Sequence, residues 1–400
     1  MKILLLNQCF YPDVMATAQQ LTDLAVGLVE KGHDVTVVTS DRGYDNPAQR
    51  FPKRETWKGI KIIRIPSLAL GKQSKWRRMV TFASFMANCS LRLLLMRKFD
   101  AVVALTSPPL ISFLGSVFTR VKGGKFYFWV MDLNPDEAVA AGWLREGSTS
   151  AKFLQRLLRS SLSHSEKVIA LDQFMKDRIV AKGVPAENVV VLAPWSHDEN
   201  ARFDEQGREE FRRRHQLDGN FVVMYAGNHS PCHPLTTLME AAHRLSDHKE
   251  IVFAFVGGGS EQQRVRDFAK TNGLSNVRCI PYQPFKDLAA TLSAADLHTV
   301  VMGDPFVGIV HPSKIYNLVS VGSPFLYVGP AESHISRIAS RINGGGSAFV
   351  ARNGDVDAVV DHILKLSNSE RRAGRYNFPE LSNAFSRKTL LPQMIEVLES

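Results

Sequence analysis

Residues 308–324 read GIVHPSKIYNLVSVGSP, the grammar of a strand end, a sharp turn and a helix. Proline suits a first helical position, because its φ is preset and its missing N–H had no partner there. Pro312 is therefore expected to open the helix. Ile315, Leu318 and Val319 follow at i, i+3, i+4 spacing and form one apolar stripe facing a core. Gly322 and Pro324 close the element. The unpaired N–H groups at a helix start, with the positive end of the dipole, attract anions. Ser313 adds a hydroxyl there and Lys314 a full charge. An ordinary capped helix gives the same outline. Two features favour an anion seat: a lysine in the first turn, where the dipole disfavours it, and a place late in a series of strands and helices.

That series runs through the second half of the chain. Phe221 to Tyr225 is a strand followed by Ala226, Gly227, Asn228, His229 and Ser230, and small residues after a strand let a ligand approach the backbone. His229, Cys232 and His233 invite a zinc reading, but no second ligand cluster lies nearby in sequence, so polar donors on a loop are the better account. Ile251 to Val256 ends in Gly257, Gly258 and Gly259, a loop able to cradle phosphate or sugar through its amides. Val277 to Ile280 leads to Pro281, Tyr282, Gln283 and Pro284. Asp296 to Val301 feeds the opening stretch, and Phe325 to Val328 is the last clear strand. Phe385 to Glu399 reads as an apolar-periodic helix.

The first half repeats the alternation. Lys2 to Asn7 is a buried strand, Leu21, Leu24, Ala25 and Leu28 mark a helix, and Asp34 to Thr39 is the next strand, a βαβ unit. Ala16, Thr17 and Ala18 stand where a dinucleotide fingerprint needs glycines, which argues against a nicotinamide oxidoreductase. Lys125 to Met131 runs into Asp132, Leu133, Asn134, Pro135, Asp136 and Glu137. Carboxylates just past a parallel strand lie where α/β folds place chemistry. Capping by Asn134 or Asp136 explains part of the cluster; Asp132 is the candidate for the reaction. Residues 194–208 are polar without apolar period and read as a linker.

Residues 71–99 hold seven basic side chains, Lys75, Arg77 and Arg78 among them, and no acidic one. Trp76, Met79, Val80, Phe82 and several leucines lie between. Such a helix can rest in a membrane interface, or it can be a core helix with a solvated basic face; the sequence leaves both open. The whole chain of 400 residues carries a formal charge of +10 and a pI of about 9.4. That favours an anionic partner, and no nucleic-acid motif accompanies it. Four scattered cysteines suit reduced thiols. No apolar run reaches the ~20 residues of a spanning helix, and the start lacks a cleavable leader. The expected location is cytoplasmic.

Taken in order, these motifs resemble the bacterial retaining glycosyltransferases of family 4, above all the branch that builds O-antigen and other exopolysaccharide units. The likeness rests on residues 10–40, on ALTSPPL and VMDLNPDEAVAAGWL, and on YAGNHSPCHPLTTLMEAA, FVGGGSE, IPYQPFKDLAATLSAADLH and HPSKIYNLVSVGSP. It implies an α/β GT-B fold, two Rossmann-like doubly wound domains facing a central cleft. The implied bounds are residues 1–198 for the acceptor, 199–380 for the nucleotide-sugar, and a tail, 381–400, packing back on the first domain. It implies transfer of a hexosyl or N-acetylhexosaminyl group, with retention, from a UDP-linked donor to a saccharide or lipid-linked saccharide. No metal or other cofactor is expected. Donor contacts carry over to Gly227, Asn228, His229, His233, Gly257, Gly258, Gly259, Tyr282, Gln283, Ser313, Lys314 and Asn317. Lys314 and Asp132 are the candidate catalytic residues. Lys75, Trp76, Arg77 and Arg78 would face the acceptor and an anionic inner-membrane surface.

The sequence also departs from the family. A pair of glutamates common in it is replaced by Ile309 and Asn317, and its basic pair on the glycine loop by Asn228 or His229 and by His233. Two rivals therefore stand beside a transferase: a nucleotide-sugar 2-epimerase of the same fold, and a catalytically silent partner subunit.

Overall fold

The computed structural model describes residues 1–13, 15–43, 48–68, 75–196, 201–342, 347–369 and 376–400. It contains two compact units. One holds residues 1–194, 308–311 and 388–400; the other holds 195–307 and 312–387.

The first unit is built on eight strands: β1 (Lys2–Leu6), β2 (Asp34–Ser40), β3 (Arg54–Trp57), β4 (Ile60–Ile65), β5 (Ala101–Ala104), β6 (Lys125–Trp129), β7 (Lys167–Ala170) and β8 (Val189–Val191). Their order is β3-β4-β2-β1-β5-β6-β7-β8. Every pairing is parallel except β3 with β4. Helices cover both faces of such a sheet, so its central strands are apolar throughout; Ile3, Leu4, Leu5 and Leu6 are fully buried. The chain enters at β1 and winds outward in both directions, which makes β1 and β5 the switch point.

The C-terminal helix Arg387–Glu399 completes this unit. A Cβ built on Gly27 would meet Ile395 and Leu391 at 3.1 Å, so the missing side chain is what lets the helix Ala16–Glu30 pack this closely. Tyr127 donates its hydroxyl to the Leu398 carbonyl at 3.3 Å, and Lys125 donates to that of Ser400 at 2.8 Å. The tail is not one element. A short helix, Pro379–Ala384, belongs to the other unit. The break falls at Phe385, whose carbonyl accepts the Ser196 amide at 2.8 Å.

The second unit is a six-stranded parallel sheet: β9 (Phe221–Asn228), β10 (Ile251–Gly258), β11 (Val277–Ile280), β12 (Leu297–Val301), β13 (Phe325–Val328) and β14 (Ala348–Ala351). The order β11-β10-β9-β12-β13-β14 is the 3-2-1-4-5-6 winding of dinucleotide-binding folds. β14 is a strand beyond the last one legible in the sequence. β9 and β10 are longer than their apolar cores. Gly227 pairs with Gly257 and Asn228 with Gly258, so these residues are strand ends rather than loop.

The expected linker is partly helix. Glu205–Arg214 carries Arg208 and Arg212, which bind the two carboxylate oxygens of buried Asp296 at 2.6 and 2.5 Å. That carboxylate also accepts the Val222 amide at 2.8 Å. The charged helix therefore has a specific seat, although its sequence shows almost no apolar face.

Candidate functional site

The carboxyl ends of β9, β10 and β12 converge on the start of the helix Lys314–Val321. Its first residue is Lys314, two later than a helix opened by Pro312 would require. Ser313 is the cap and Pro312 lies outside. The Ser313 hydroxyl makes no capping bond. Among the described residues no acceptor meets the Ser313 or Lys314 amide. Unpaired amides at a helix start are donors toward an anion.

Lys314 turns back over the sheet. Its ammonium nitrogen is buried without a hydrogen-bond partner and lies 3.6 Å from the centroid of the Tyr225 ring. The space is left by Gly227, where a built Cβ would sit 3.0 Å from that nitrogen. Burial lowers the lysine pKa from 10.5 to about 7. Taking an ammonium out of water costs several kcal/mol, and a desolvated aromatic face returns about 2 kcal/mol. The deficit makes this nitrogen a strong receptor for an anion. The sequence suggests a lysine displayed at a helix tip; the structure instead stores it inside.

Histidines surround it. His229 donates from Nδ1 to the Gly227 carbonyl at 3.1 Å, and its Nε2 is buried without a partner. His233 donates from Nδ1 to the Val301 carbonyl at 2.8 Å. Burial, then the Lys314 charge, pull their pKa values down to about 4 and about 3. Both rings are therefore neutral and add no charge beside the ammonium. Each ring spends one nitrogen on a backbone carbonyl, as expected of polar loop residues.

The glycines are tightly placed. Gly257 has φ +132°, and a Cβ there would fall 2.1 Å from the Gly227 carbonyl oxygen. At Gly259 it would fall 2.2 Å from the His229 carbonyl oxygen and 2.6 Å from Asn228 Oδ1. Tyr282 is exposed and lays its ring over Gly258, its hydroxyl reaching the Gly258 carbonyl at 3.3 Å. Gln283 folds its amide onto the Pro281 carbonyl at 2.8 Å. Asn317 is half-buried on the same helix as Lys314. Two side chains here escape sequence reading. Tyr225 underlies Lys314, and Gln262 donates to the Gly257 carbonyl at 2.8 Å. Tyr225 opens the stretch YAGNHSPCHPL and Gln262 follows FVGGGSE, but nothing in the sequence marks either side chain as part of a site.

In the first unit Asp132 is half-buried just beyond β6. Burial, with the Glu137 carboxylate adding to it, raises its pKa to about 8, so it carries a proton at neutral pH. Leu133 donates its amide to the Ile309 carbonyl at 2.8 Å. Ile309 itself is buried and supplies no carboxylate.

The basic segment forms the helix Lys75–Leu94. The side chains of Lys75, Trp76 and Arg78 lie outside the described residues; Arg77 is half-buried. Phe85, Cys89 and Leu93 are in the core, whereas Met79, Val80, Leu91, Leu94 and, just beyond, Leu95 are exposed. Among the described residues one face of the helix is core and the other exposes apolar side chains.

Known proteins show the same organisation. Residues 16–195 match the family described as Glycosyl transferase 4-like domain, and residues 207–304 that described as Glycosyl transferases group 1. WcaI of Escherichia coli (strain K12), named as a colanic acid biosynthesis glycosyl transferase, is 26% identical over 379 residues, 91% of each chain. Among solved structures, Anabaena Alr3699/HepE with UDP and glucose aligns over 100% of both chains, with 15% identity and a TM-score of 0.74. WaaG, a glycosyltransferase involved in lipopolysaccharide biosynthesis, aligns over 99% of both with 15% identity and a TM-score of 0.69. The structural likenesses carry the fold, and the two domain matches, in series on two parallel sheets, carry the family. The chain belongs to the family 4 glycosyltransferases of the GT-B fold.

Proposed function

We propose that this glycosyltransferase moves a sugar from a UDP-linked donor to a saccharide or lipid-linked saccharide acceptor during assembly of a cell-surface polysaccharide. The observation that carries this is the Lys314 ammonium, buried without an acceptor at a helix start whose amides are open. The named relatives support the setting: WcaI is named for colanic acid biosynthesis, WaaG for lipopolysaccharide biosynthesis, and HepE was crystallised with UDP. These relatives are transferases, so the epimerase reading is set aside.

In the proposed reaction the bond from the anomeric carbon to the β-phosphate oxygen breaks. A bond to the acceptor oxygen forms, and the acceptor's proton must leave. Charge grows on the departing diphosphate, and donors fixed in advance around it lower the barrier by about 3–4 kcal/mol each. Lys314 and the amides of Ser313 and Lys314 take that role. An adjacent anion favours the charged lysine, so donor binding raises its pKa again. Gly227, Asn228, His229, His233 and Gly257 to Gly259 line the donor, Tyr282 and Gln283 frame the base, and Asn317 meets a hydroxyl. Asp132 receives the acceptor's proton in its ionised form, which a carboxyl titrating near about 8 reaches as pH rises toward that value. Because lysine and amides meet the diphosphate charge, no metal is required. Retention and the hexosyl or N-acetylhexosaminyl preference follow the family. Work at the cytoplasmic face of a membrane suits a lipid-linked acceptor.

Lys314→Ala should keep the fold, lower turnover of a UDP-sugar by about 10²–10³-fold and abolish thermal protection by UDP. Unchanged turnover would remove Lys314 from the site. If no nucleotide diphosphate protects even the wild type, the silent-subunit reading takes its place.

A further inference from the structure

Tyr225 lies on β9 in contact with two parts of the donor site. Its ring carries the Lys314 ammonium at 3.6 Å from the centroid. Its hydroxyl donates to the Asn228 carbonyl at 2.7 Å. The His229 ring stands edge-on against it, centroids 5.1 Å apart and planes at 77°. One side chain therefore touches both the buried cation and the strand end Gly227–His229. Among the described residues no acceptor reaches the ammonium, so the aromatic face is the attractive surface they give it.

We propose that Tyr225 is a positioning residue: its ring holds the Lys314 ammonium beside Gly227 in readiness for the donor diphosphate, and its hydroxyl fixes the strand end against which that diphosphate rests. The inference builds on the reading of Lys314 as the diphosphate contact.

The groups around the ammonium allow the two to be separated. His229 and His233 follow β9, His298 is on β12, Cys232 and Tyr282 flank Tyr225, and Arg266 is near His229. Burial holds all three histidines well below 6.5, so they do not titrate between pH 6 and 9. Burial also holds the Tyr225 phenol neutral there. Among the lysine, the three histidines and Tyr225, the charge that changes over that range is on Lys314, whose proton is lost as pH rises through about 7. Weakening the aromatic face moves that loss to lower pH.

The test is UDP affinity by calorimetry at pH 6 to 9, each variant compared with wild type at the same pH. Tyr225→Leu should weaken binding roughly tenfold at pH 8 and far less at pH 6. Tyr225→Phe keeps the ring and should keep the pH midpoint, with a modest loss at every pH. Should the leucine variant fail to fold, successively fluorinated phenylalanines at 225 drain the ring face at nearly constant volume, and the midpoint should fall with each fluorine. In a Lys314→Ala background these pH effects should vanish. If Lys314→Ala leaves UDP affinity unchanged, the diphosphate reading fails, and this inference with it. If Lys314→Ala weakens binding while the 225 variants leave the midpoint where it was, only the role of Tyr225 is overturned.

Discussion

At the scale of single residues, Lys314 is costly to the fold. Its pKa is about 10.5 in an unfolded chain and about 7 here. Below pH 7 both states are charged and the full penalty of burying the ammonium is present. As pH rises from 7 toward 10.5 the unfolded state retains a proton that the native state lacks, so stability rises. Lys314→Met should therefore raise the melting temperature of the free protein, most below pH 7 and progressively less toward pH 10.5. The largest gain corresponds to a few kcal/mol, since each tenfold change in proton affinity is worth about 1.36 kcal/mol. Equal gains at pH 6 and pH 10 would show that the ammonium is not held in a dry site. Such a trade of stability for a poised group is expected where activity needs strain. The identity of Lys314 is legible in the sequence, because a lysine at a helix start is conspicuous. Its burial is not. It depends on Gly227 and Tyr225, distant in the chain, and on neutral histidines whose state burial decides.

At the scale of elements, the alternation of strands and helices is plain from periodicity, and two strands escape it. β3 and β14 are short, and RETW, the whole of β3, has one apolar residue. The extension of β9 and β10 through glycines is invisible to propensity, since glycine is a poor strand former. It is secured by close backbone approach between Gly227 and Gly257. The start of the helix Glu205–Arg214, residues 205–208, reads as linker because charge, not an apolar stripe, seats it. Asp296 is its anchor, with Arg208 and Arg212 on its two oxygens. Removing one partner of a buried ionic cluster leaves uncompensated charge and costs about 3–5 kcal/mol. Asp296→Ala should lose about that much in urea unfolding. Asp296→Asn should lose less, because an amide oxygen still accepts one arginine and the Val222 amide. A loss near zero for alanine would mean that the helix is held by something other than this pair.

At the scale of the whole molecule, charge and exposed apolar surface point in one direction. The formal charge is +10. In the first unit, Met79, Val80, Leu91, Leu94 and Leu95 on one helix, and Val117 and Val121 on the helix Ile111–Lys122, are exposed. The two helices pack together, with Arg97, Lys98, Arg120 and Lys122 exposed around them. Among the described residues no helix is long and apolar enough to cross a membrane. A surface that mixes uncovered leucines with cations, yet spans nothing, suits the interface of an anionic bilayer. On such a bilayer, apolar burial would supply part of the affinity and lipid charge the rest. The two parts separate experimentally. In vesicle sedimentation the protein should bind phosphatidylglycerol-containing vesicles, bind neutral ones far more weakly, and lose most binding between about 50 and 500 mM salt, as screening requires. Leu94→Asp with Leu95→Asp should abolish vesicle binding while leaving UDP affinity intact, because both leucines belong to the first unit and the proposed donor site to the second. Equal binding to neutral and acidic vesicles would eliminate the electrostatic part, and binding undiminished by the aspartates would remove this face from the interface altogether.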